Sequence, residues 1–242
     1  AMVFGAAWAA IPAYLQAKRG SHIVITTIMF NWIGSALIVY LLVGPMQAPG
    51  MVPETVAFSA GSSIPTLHDI IPAFDKHAPA NVSLFLALIA AFGVWVLIWK
   101  TRLGYEIRAF GHSEKAAIYA GIKPLKIIMV AMLVSGGLAG MMAVNTVQGE
   151  AERLILDTVQ GAGFVGIAVA LMGRSHPVGV VLAAFLFGIL YQGGGELSFE
   201  MGIPREMIVV IQALVIMFVG SLENMVRIPV ERLFLRFNRG AA

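Results

Sequence analysis

The stretch IVITTIMFNWIGSALIVYLLV, residues 23–43, contains no charged residue. A helix needs about 20 predominantly apolar residues to cross the hydrocarbon core of a bilayer, because each residue adds about 1.5 Å along its axis. The whole chain has the same character. Of its 242 residues, 59% are hydrophobic and 12% are charged, whereas a soluble domain carries about 25% charged residues. The sequence therefore predicts an all-α protein, a polytopic bundle of transmembrane helices.

Other apolar runs predict further membrane segments. Residues 82–99 and 127–145 are long enough for full spans, and residues 207–222 form the last predicted span. Residues 1–15 are apolar but too short, so we expect the sequence to begin partway through a membrane helix of a longer protein. Every charged residue lies outside these runs, as expected where a charge at the bilayer centre costs at least about 2.5 kcal/mol.

Two shorter apolar runs, residues 161–173 and 177–191, complete about seven membrane segments. They are predicted to be either short full helices or a broken, re-entrant pair, which is tolerated where protein or a water-filled cavity covers the backbone. Gly161, Gly163 and Gly166 open the first run. Short segments interrupted by glycine are typical of a substrate path, and close helix packing through glycine is the alternative.

Basic residues indicate the orientation of the chain. Three of the 16 Lys and Arg residues, Lys76, Arg153 and Arg205, are expected on one side, and the others lie in segments assigned to the opposite side. These basic segments are 16–22, 100–126, 174–176 and 223–242. The positive-inside rule makes them cytoplasmic and the loop 44–81 external. We therefore expect one transmembrane domain over residues 1–242 with a cytoplasmic C-terminus and a basic tail, 223–242, that lies along the headgroups.

The cytoplasmic loop 100–126 contains GHSEKAAIYAGI, residues 111–122, which predicts a short helix. Ser113 is a suitable N-terminal cap, Gly121 is a natural stop, and Pro124 follows. Such a short helix is not stable alone in water, so it must pack on its own protein or on a partner. An interfacial connector and a docking element are both compatible with this pattern.

Residues 106–122, EIRAFGHSEKAAIYAGI, resemble the cytoplasmic coupling loop of ABC-transporter permeases, whose motif reads Glu-Ala-Ala, three residues, then Gly. Here Ala116, Ala117 and Gly121 match the motif. Lys115 stands at its acidic position, and Glu114 comes one place early. This departure puts the role of the carboxylate in doubt and leaves the small residues of the motif in place.

Further blocks extend the resemblance over nearly the whole chain. Residues 161–194 are similar to the most recognisable block of the simple-sugar and nucleoside permeases, and 135–144 match in character. Residues 24–42 resemble an early span of the nucleoside branch, with Met29 and Asn31 in its pattern. Members of this family have further N-terminal spans, which fits the expected truncation.

The resemblance implies a permease subunit that does no covalent chemistry. A second permease subunit, the same or homologous, would complete the path, an external substrate-binding protein would deliver the nucleoside or sugar, and a cytoplasmic ATPase would drive import across a bacterial inner membrane. The chain has no phosphate-binding loop of the Gly-x-x-x-x-Gly-Lys-Ser/Thr kind, so ATP and Mg would be bound by the ATPase. The residues implied in coupling are Gly111, His112, Ser113, Glu114, Ala116, Ala117, Ala120, Gly121 and Ile122.

The candidates for lining a substrate path are amides, aromatic residues and glycines within or beside the apolar runs. They are Asn31, Trp32, Asn145, Gly161, Gly163, Phe164, Gly166 and Gln192. An amide can bond hydroxyl groups, and an aromatic ring can stack on a sugar or a base. For Asn31, a hydrogen bond to a neighbouring helix is the alternative. Gly136 and Gly140 form a Gly-x-x-x-Gly motif that favours close helix packing, either within the chain or at a subunit interface.

Two other classes of function remain. An ion-coupled secondary transporter of a small polar solute usually needs a carboxylate within the membrane, and none of the 13 Asp and Glu residues lies inside an apolar run. A membrane enzyme would need converging His, Asp, Glu or Cys residues. The five His residues are scattered without metal-ligand spacing, there is no Cys, and the basic residues are divided among loops. The pattern favours neither a metal site nor binding to a nucleic acid polymer.

Overall fold

In the computed structural model of the chain, the described residues are 1–50, 52–59, 64–70, 80–156, 158–159, 161–202, 204, 207, 209–215 and 217–218. The predicted tail 223–242 lies outside them. The helices are α1 (Met2–Arg19), α2 (Ile23–Val43), α3 (Leu67–Ile70), α4 (Ser83–Lys100), α5 (Arg102–His112), α6 (Glu114–Tyr119), α7 (Pro124–Ala143), a π-helix (Val144–Glu150), α8 (Ala162–Met172) and α9 (Pro177–Met201). Within this described part there is no β-strand, only isolated bridges. The helical class predicted from the apolar runs is thus confirmed.

Four helices are long and apolar enough to cross a membrane: α2, α4, α7 with its π-helical extension, and α9. The helices α2 and α4 match the predicted runs 23–43 and 82–99 to within one residue. Helix α8 is apolar but has only 11 residues. The total of about seven segments is not confirmed, although the described residues between 207 and 218 are also helical.

Helix α9 differs most from its predicted run. The prediction of a short segment over 177–191 is wrong in length, because the helix continues through Gly193, Gly194 and Gly195 to Met201 and has 25 residues. Glycine inside a helix costs about 1 kcal/mol relative to alanine. The three glycines therefore favour a helix that ends before them, as the predicted segment does. Packing in the folded chain overrides such weak preferences.

The first compact unit comprises Ala1–Gln160, and α1 packs along α7 within it. The two backbones meet at glycines: the Gly136 position faces the Gly5 carbonyl oxygen, and Gly140 lies against the Cα of Gly5. A Cβ atom added at Gly136 would overlap the side chain of Ala9. The Gly-x-x-x-Gly motif therefore serves packing within the chain, which was one of its two predicted uses.

Residues 52–59 of the loop 44–81 are attached to the segment that follows the π-helix. Glu54 and Ile155 form an antiparallel bridge, and the Thr55 N–H donates to the Leu154 carbonyl over 3.0 Å. Arg153 Nη1 lies 2.9 Å from Glu54 Oε1 in an ion pair. In its described residues, the loop is thus more than a free connector.

The second compact unit comprises Gly161–Ala242. In it α8 packs on α9 around Ala168, Val169, Ala183 and Phe187. Van der Waals packing of these side chains holds the short helix α8 against α9. Because the chain divides into two units, the prediction of a single domain over 1–242 stays a prediction.

Candidate functional site

Two helices occupy the connection between α4 and α7, where the sequence predicted one. The amphipathic helix α5 comes first; its N-terminal cap is Thr101, whose Oγ1 accepts a hydrogen bond from the Gly104 N–H over 3.1 Å. The apolar runs do not indicate α5, because charged residues alternate with apolar ones along it. The helical periodicity of its apolar residues does indicate an amphipathic helix.

Helix α6 begins where the sequence predicted. Ser113 has an extended backbone, and its Oγ accepts a hydrogen bond from the Ala116 N–H at 3.4 Å. This bond satisfies one of the free N–H groups of the first turn. Glu114 lies in the same turn, where a negative charge is favoured by the helix dipole.

Helix α6 also ends where the sequence predicted. Gly121 has a φ of +85°, a left-handed conformation that costs glycine little. The Gly121 N–H donates to the Ile118 carbonyl over 2.9 Å, and the Ile122 N–H donates to the Ala117 carbonyl over 3.0 Å. This pair of bonds is the Schellman arrangement, which closes a helix firmly. Pro124 then begins α7.

Anchoring contacts tie α5 to the membrane-length helices α4 and α7. A Cβ atom at Gly104 would overlap the carbonyl oxygens of Leu97 and Ile98, so α5 turns back tightly against the end of α4. Glu106 forms ion pairs with Lys126 at 3.2 Å and with Arg102 at 3.7 Å. Glu106 thereby links α5 to the start of α7.

The exposure of the predicted coupling residues is uneven. Gly111, His112, Ser113, Glu114, Ala116, Ala120 and Gly121 are exposed, and Ile122 is half-buried. Ala117, by contrast, is only 3% exposed. The small side chain of Ala117 thus packs within its own chain, and its predicted role in coupling stays a prediction.

The most exposed apolar residues of α6 were not among the predicted coupling residues. Tyr119 is 95% exposed, and Ile118 beside it is 49% exposed. Exposed large apolar side chains clustered on a surface often mark a contact with another protein. Attention to large residues, and not only to the small ones of the family motif, would have identified both.

The substrate-path candidates of the first unit do not converge. Asn31 and Trp32 are exposed on α2, with Trp32 at 71%. Within the part of the chain that the structure describes, the Asn31 amide has no hydrogen-bond partner, so the alternative of a bond to a neighbouring helix is not observed there. Asn145 instead accepts a hydrogen bond from the Asn81 amide over 2.9 Å.

Asn81, Ser83 and Asn145 form a polar cluster that joins the start of α4 to the π-helix. Asn81 Oδ1 accepts from the Ser83 N–H over 3.0 Å, and Ser83 Oγ also reaches the amide oxygen of Asn145 at 2.6 Å. Asn81 is only 7% exposed. The sequence assigned no role to Asn81 or Ser83, because their partner lies more than 60 residues away and no local signal marks it.

The candidates of the second unit lie on α8 and α9. Gly161 has a φ of +73° at the start of α8. At Gly163 and Gly166 an added Cβ would meet no atom within 4 Å, and Phe164 is exposed between them. Gln192 is exposed on α9. Gly163 and Gly166 therefore make no close helix contact within the described part of the chain, and both predicted uses of these glycines, a substrate path and close packing, stay predictions.

The described side chains offer no metal site. Within those residues, no three of His, Cys, Asp or Glu come together closely enough to hold an ion.

A family model described as "Branched-chain amino acid transport system / permease component" matches residues 1–220. The glucose ABC transporter permease protein of Haloferax volcanii is 34% identical over 92% of this chain and 60% of its own length. The guanosine ABC transporter permease protein of Bacillus subtilis is 35% identical over 90% and 62%, respectively. The nucleoside ABC transporter permease protein of Lactococcus lactis is 33% identical over 90% and 61%. No solved structure matches. The chain thus spans about three-fifths of the length of these relatives.

Proposed function

This chain belongs to the family of branched-chain amino acid transport system permease components, and on that premise we propose that it is the membrane-spanning subunit of an ATP-driven ABC importer. The proposed substrates are nucleosides or simple sugars. Relatives at similar identity are named for glucose, guanosine and nucleosides. Substrates of both classes carry several hydroxyl groups, which suits a path lined by amide and aromatic side chains.

The orientation that we propose places α5 and α6 in the cytoplasm, with about seven membrane segments and a cytoplasmic C-terminus in a bacterial inner membrane. Cations stacked over aromatic rings support this side as a membrane boundary. The Lys18 ammonium lies 5.3 Å from the Tyr14 ring centroid, and the Lys100 ammonium lies 5.6 Å from that of Trp95. Aromatic residues with adjacent Lys or Arg are typical of the cytoplasmic interface.

The proposal rests on the side chains that α6 exposes. The helix is capped at both ends, and Ala117 is buried, yet in the described part of the chain Ile118 is 49% exposed and Tyr119 is 95% exposed. We propose that α6 is the coupling helix, that it inserts Tyr119 into a groove of a separate ATPase subunit, and that this ATPase binds ATP and Mg. Aromatic anchors in a pocket carry much of the binding energy at protein interfaces.

The remaining proposed partners are those that membership of the permease family implies. A second permease subunit would complete the substrate path. In the first unit Asn31 and Trp32 remain candidates for lining it, and in the second unit, taken by itself, Phe164 and Gln192 do. An external substrate-binding protein would dock on the side of the loop 44–81, where the Glu54–Arg153 ion pair holds the loop in place.

Copurification with the ATPase encoded beside the permease tests this proposal. The test variant combines Ala116→Glu with Tyr119→Glu, which changes exposed positions and leaves buried Ala117 intact. Val56→Glu is the control, an apolar-to-acidic change at a 65% exposed position on the side that we propose to be external. We expect the wild type and the control to retain the ATPase and the test variant to lose it.

Equal retention by all three proteins would remove α6 from the interface. If the wild type binds no candidate ATPase at all, the importer proposal fails, and an ion-coupled secondary transporter becomes the better interpretation.

A further inference from the structure

A groove lies beside the corner between α4 and α5, on the side that the basic loops mark as cytoplasmic. Its volume is about 540 Å³, and it is lined by Trp99, Tyr105, Arg108, Ala109 and His112. Of these residues, only His112 belongs to the predicted coupling set. The other four lining residues therefore lie outside the surface that we propose to dock on the ATPase.

Arg108 is the charged group of this groove. Its guanidinium carbon lies 4.5 Å from the centroid of the Trp99 ring, a cation–π contact. Its Nε atom is buried and has no hydrogen-bond partner within the described part of the chain. Glu106, the carboxylate nearest in sequence, is paired with Arg102 and Lys126. Arg108 thus keeps a positive charge and an N–H donor that no group of the described chain satisfies.

The groove lies at the level where a bilayer has its headgroups. Helix α4 has 18 residues, which corresponds to about 27 Å, close to the roughly 30 Å of a hydrocarbon core. Trp99 lies in the last turn of α4, and α5 carries Tyr105 directly after it. Both side chains are substantially exposed, as aromatic residues are at a membrane–water interface.

An apolar stripe runs from the groove along α4. Phe85, Ile89, Phe92 and Trp99 are exposed, and their spacing of three, four and seven residues places them on one face of the helix. A ligand that fits both features carries an anionic group at one end and a long apolar body. A soluble anion would use the groove and leave the stripe bare.

We propose that this groove binds the phosphate group of an anionic phospholipid, with Arg108 as its ligand and the acyl chains along the stripe of α4. The planar guanidinium can donate two parallel hydrogen bonds to phosphate oxygens. Lys100 and Arg102, both exposed beside the groove, favour a headgroup of net negative charge. Stacking on Trp99 holds the guanidinium in position for this contact.

Native mass spectrometry of the natural full-length protein, titrated with phosphatidylglycerol or phosphatidylcholine, tests the proposal. Arg108→Gln removes the charge from the groove, and Lys115→Gln removes a charge from an exposed position of α6 as a matched control. We expect the wild type and the control to retain phosphatidylglycerol in preference to phosphatidylcholine. We expect Arg108→Gln to bind phosphatidylglycerol about tenfold more weakly, because a charged hydrogen bond is lost.

Other outcomes overturn the proposal. Equal retention of both lipids, or retention that does not depend on Arg108, would do so directly. Competition by glycerol phosphate as strong as by the lipid would identify a soluble anion. If Arg108→Gln no longer copurifies with the ATPase but retains phosphatidylglycerol as the wild type does, the groove belongs to the coupling interface. If Arg108→Gln does not fold, Tyr105→Glu replaces it: this change puts a negative charge at an exposed lining position of the same groove and is expected to weaken the retention of phosphatidylglycerol relative to phosphatidylcholine.

Discussion

Glycine clusters in two regions of this chain, and the two clusters behave oppositely. Gly136 and Gly140 on α7 lie against the backbone of α1, whereas an added Cβ at Gly163 or Gly166 on α8 meets no atom of the described residues within 4 Å. Both regions carry a spacing that allows close helix approach. The comparison shows that glycine spacing on one helix permits a close approach of two backbones. The approach also needs a small residue at the facing position of the second helix, which here is Gly5.

The largest expected effect is at the α1–α7 contact. Gly136→Ala places a methyl group where the Ala9 side chain lies and 2.7 Å from the Gly5 carbonyl oxygen. Overpacking of this kind costs about 1–3 kcal/mol, and we expect a loss of about 2 kcal/mol. Unfolding in mixed micelles of increasing denaturing detergent measures it. An unchanged midpoint would contradict the close α1–α7 contact.

A somewhat smaller effect is expected at the α4–α5 corner. Gly104→Ala would press against the carbonyl groups of Leu97 and Ile98, which are backbone atoms and cannot turn aside. Gly93→Ala on α4, where an added Cβ meets nothing within 4 Å, is the matched control. We expect Gly104→Ala to lower stability by about 1–2 kcal/mol and to weaken ATPase copurification, while Gly93→Ala does neither.

The polar cluster extends the comparison from backbone contacts to side chains. Asn145→Ala removes the acceptor of the Asn81 amide and leaves a nearly buried donor unpaired. We expect a loss of about 1 kcal/mol. Thermal unfolding of Asn145→Ala, Asn81→Ala and the double variant measures the coupling between the two residues. Strict additivity would mean that their hydrogen bond contributes nothing to stability.

The smallest expected effect has the opposite sign. Gly166→Ala adds a methyl group in open space within α8, and alanine favours a helix over glycine by up to about 1 kcal/mol. We expect stability to be unchanged or to rise by about 0.5 kcal/mol. If stability instead falls as far as with Gly136→Ala, the glycines of α8 pack against a surface that this chain does not supply, and the distinction between the two regions disappears.

The sequence predicts what depends on neighbouring residues. Helices α2 and α4 follow from uninterrupted apolar runs, and both ends of α6 follow from Ser113 and Gly121 acting on their own turn of helix. Family membership also follows, because the residues of the coupling loop and of 161–194 resemble known permeases.

Features that depend on distant residues are missed. The hydrogen bond from Asn81 to Asn145 joins residues that are 64 positions apart in the chain. The burial of Ala117 arises from the packing of α6 within the folded chain, which its motif does not indicate. The length of α9 is missed because three glycines weaken the local signal without ending the helix. The role of α5 is missed because an amphipathic segment with mixed charge does not register as an apolar run.

The joints around α6 have a mechanical consequence. One residue, Thr101, separates α4 from α5, and one residue, Ser113, separates α5 from α6. A hydrogen-bonded turn with Gly121 leads into α7. The connections on both sides of α6 are therefore too short to act as flexible loops. A displacement of α6 would be transmitted to the ends of α4 and α7, because no intervening loop can extend to absorb it.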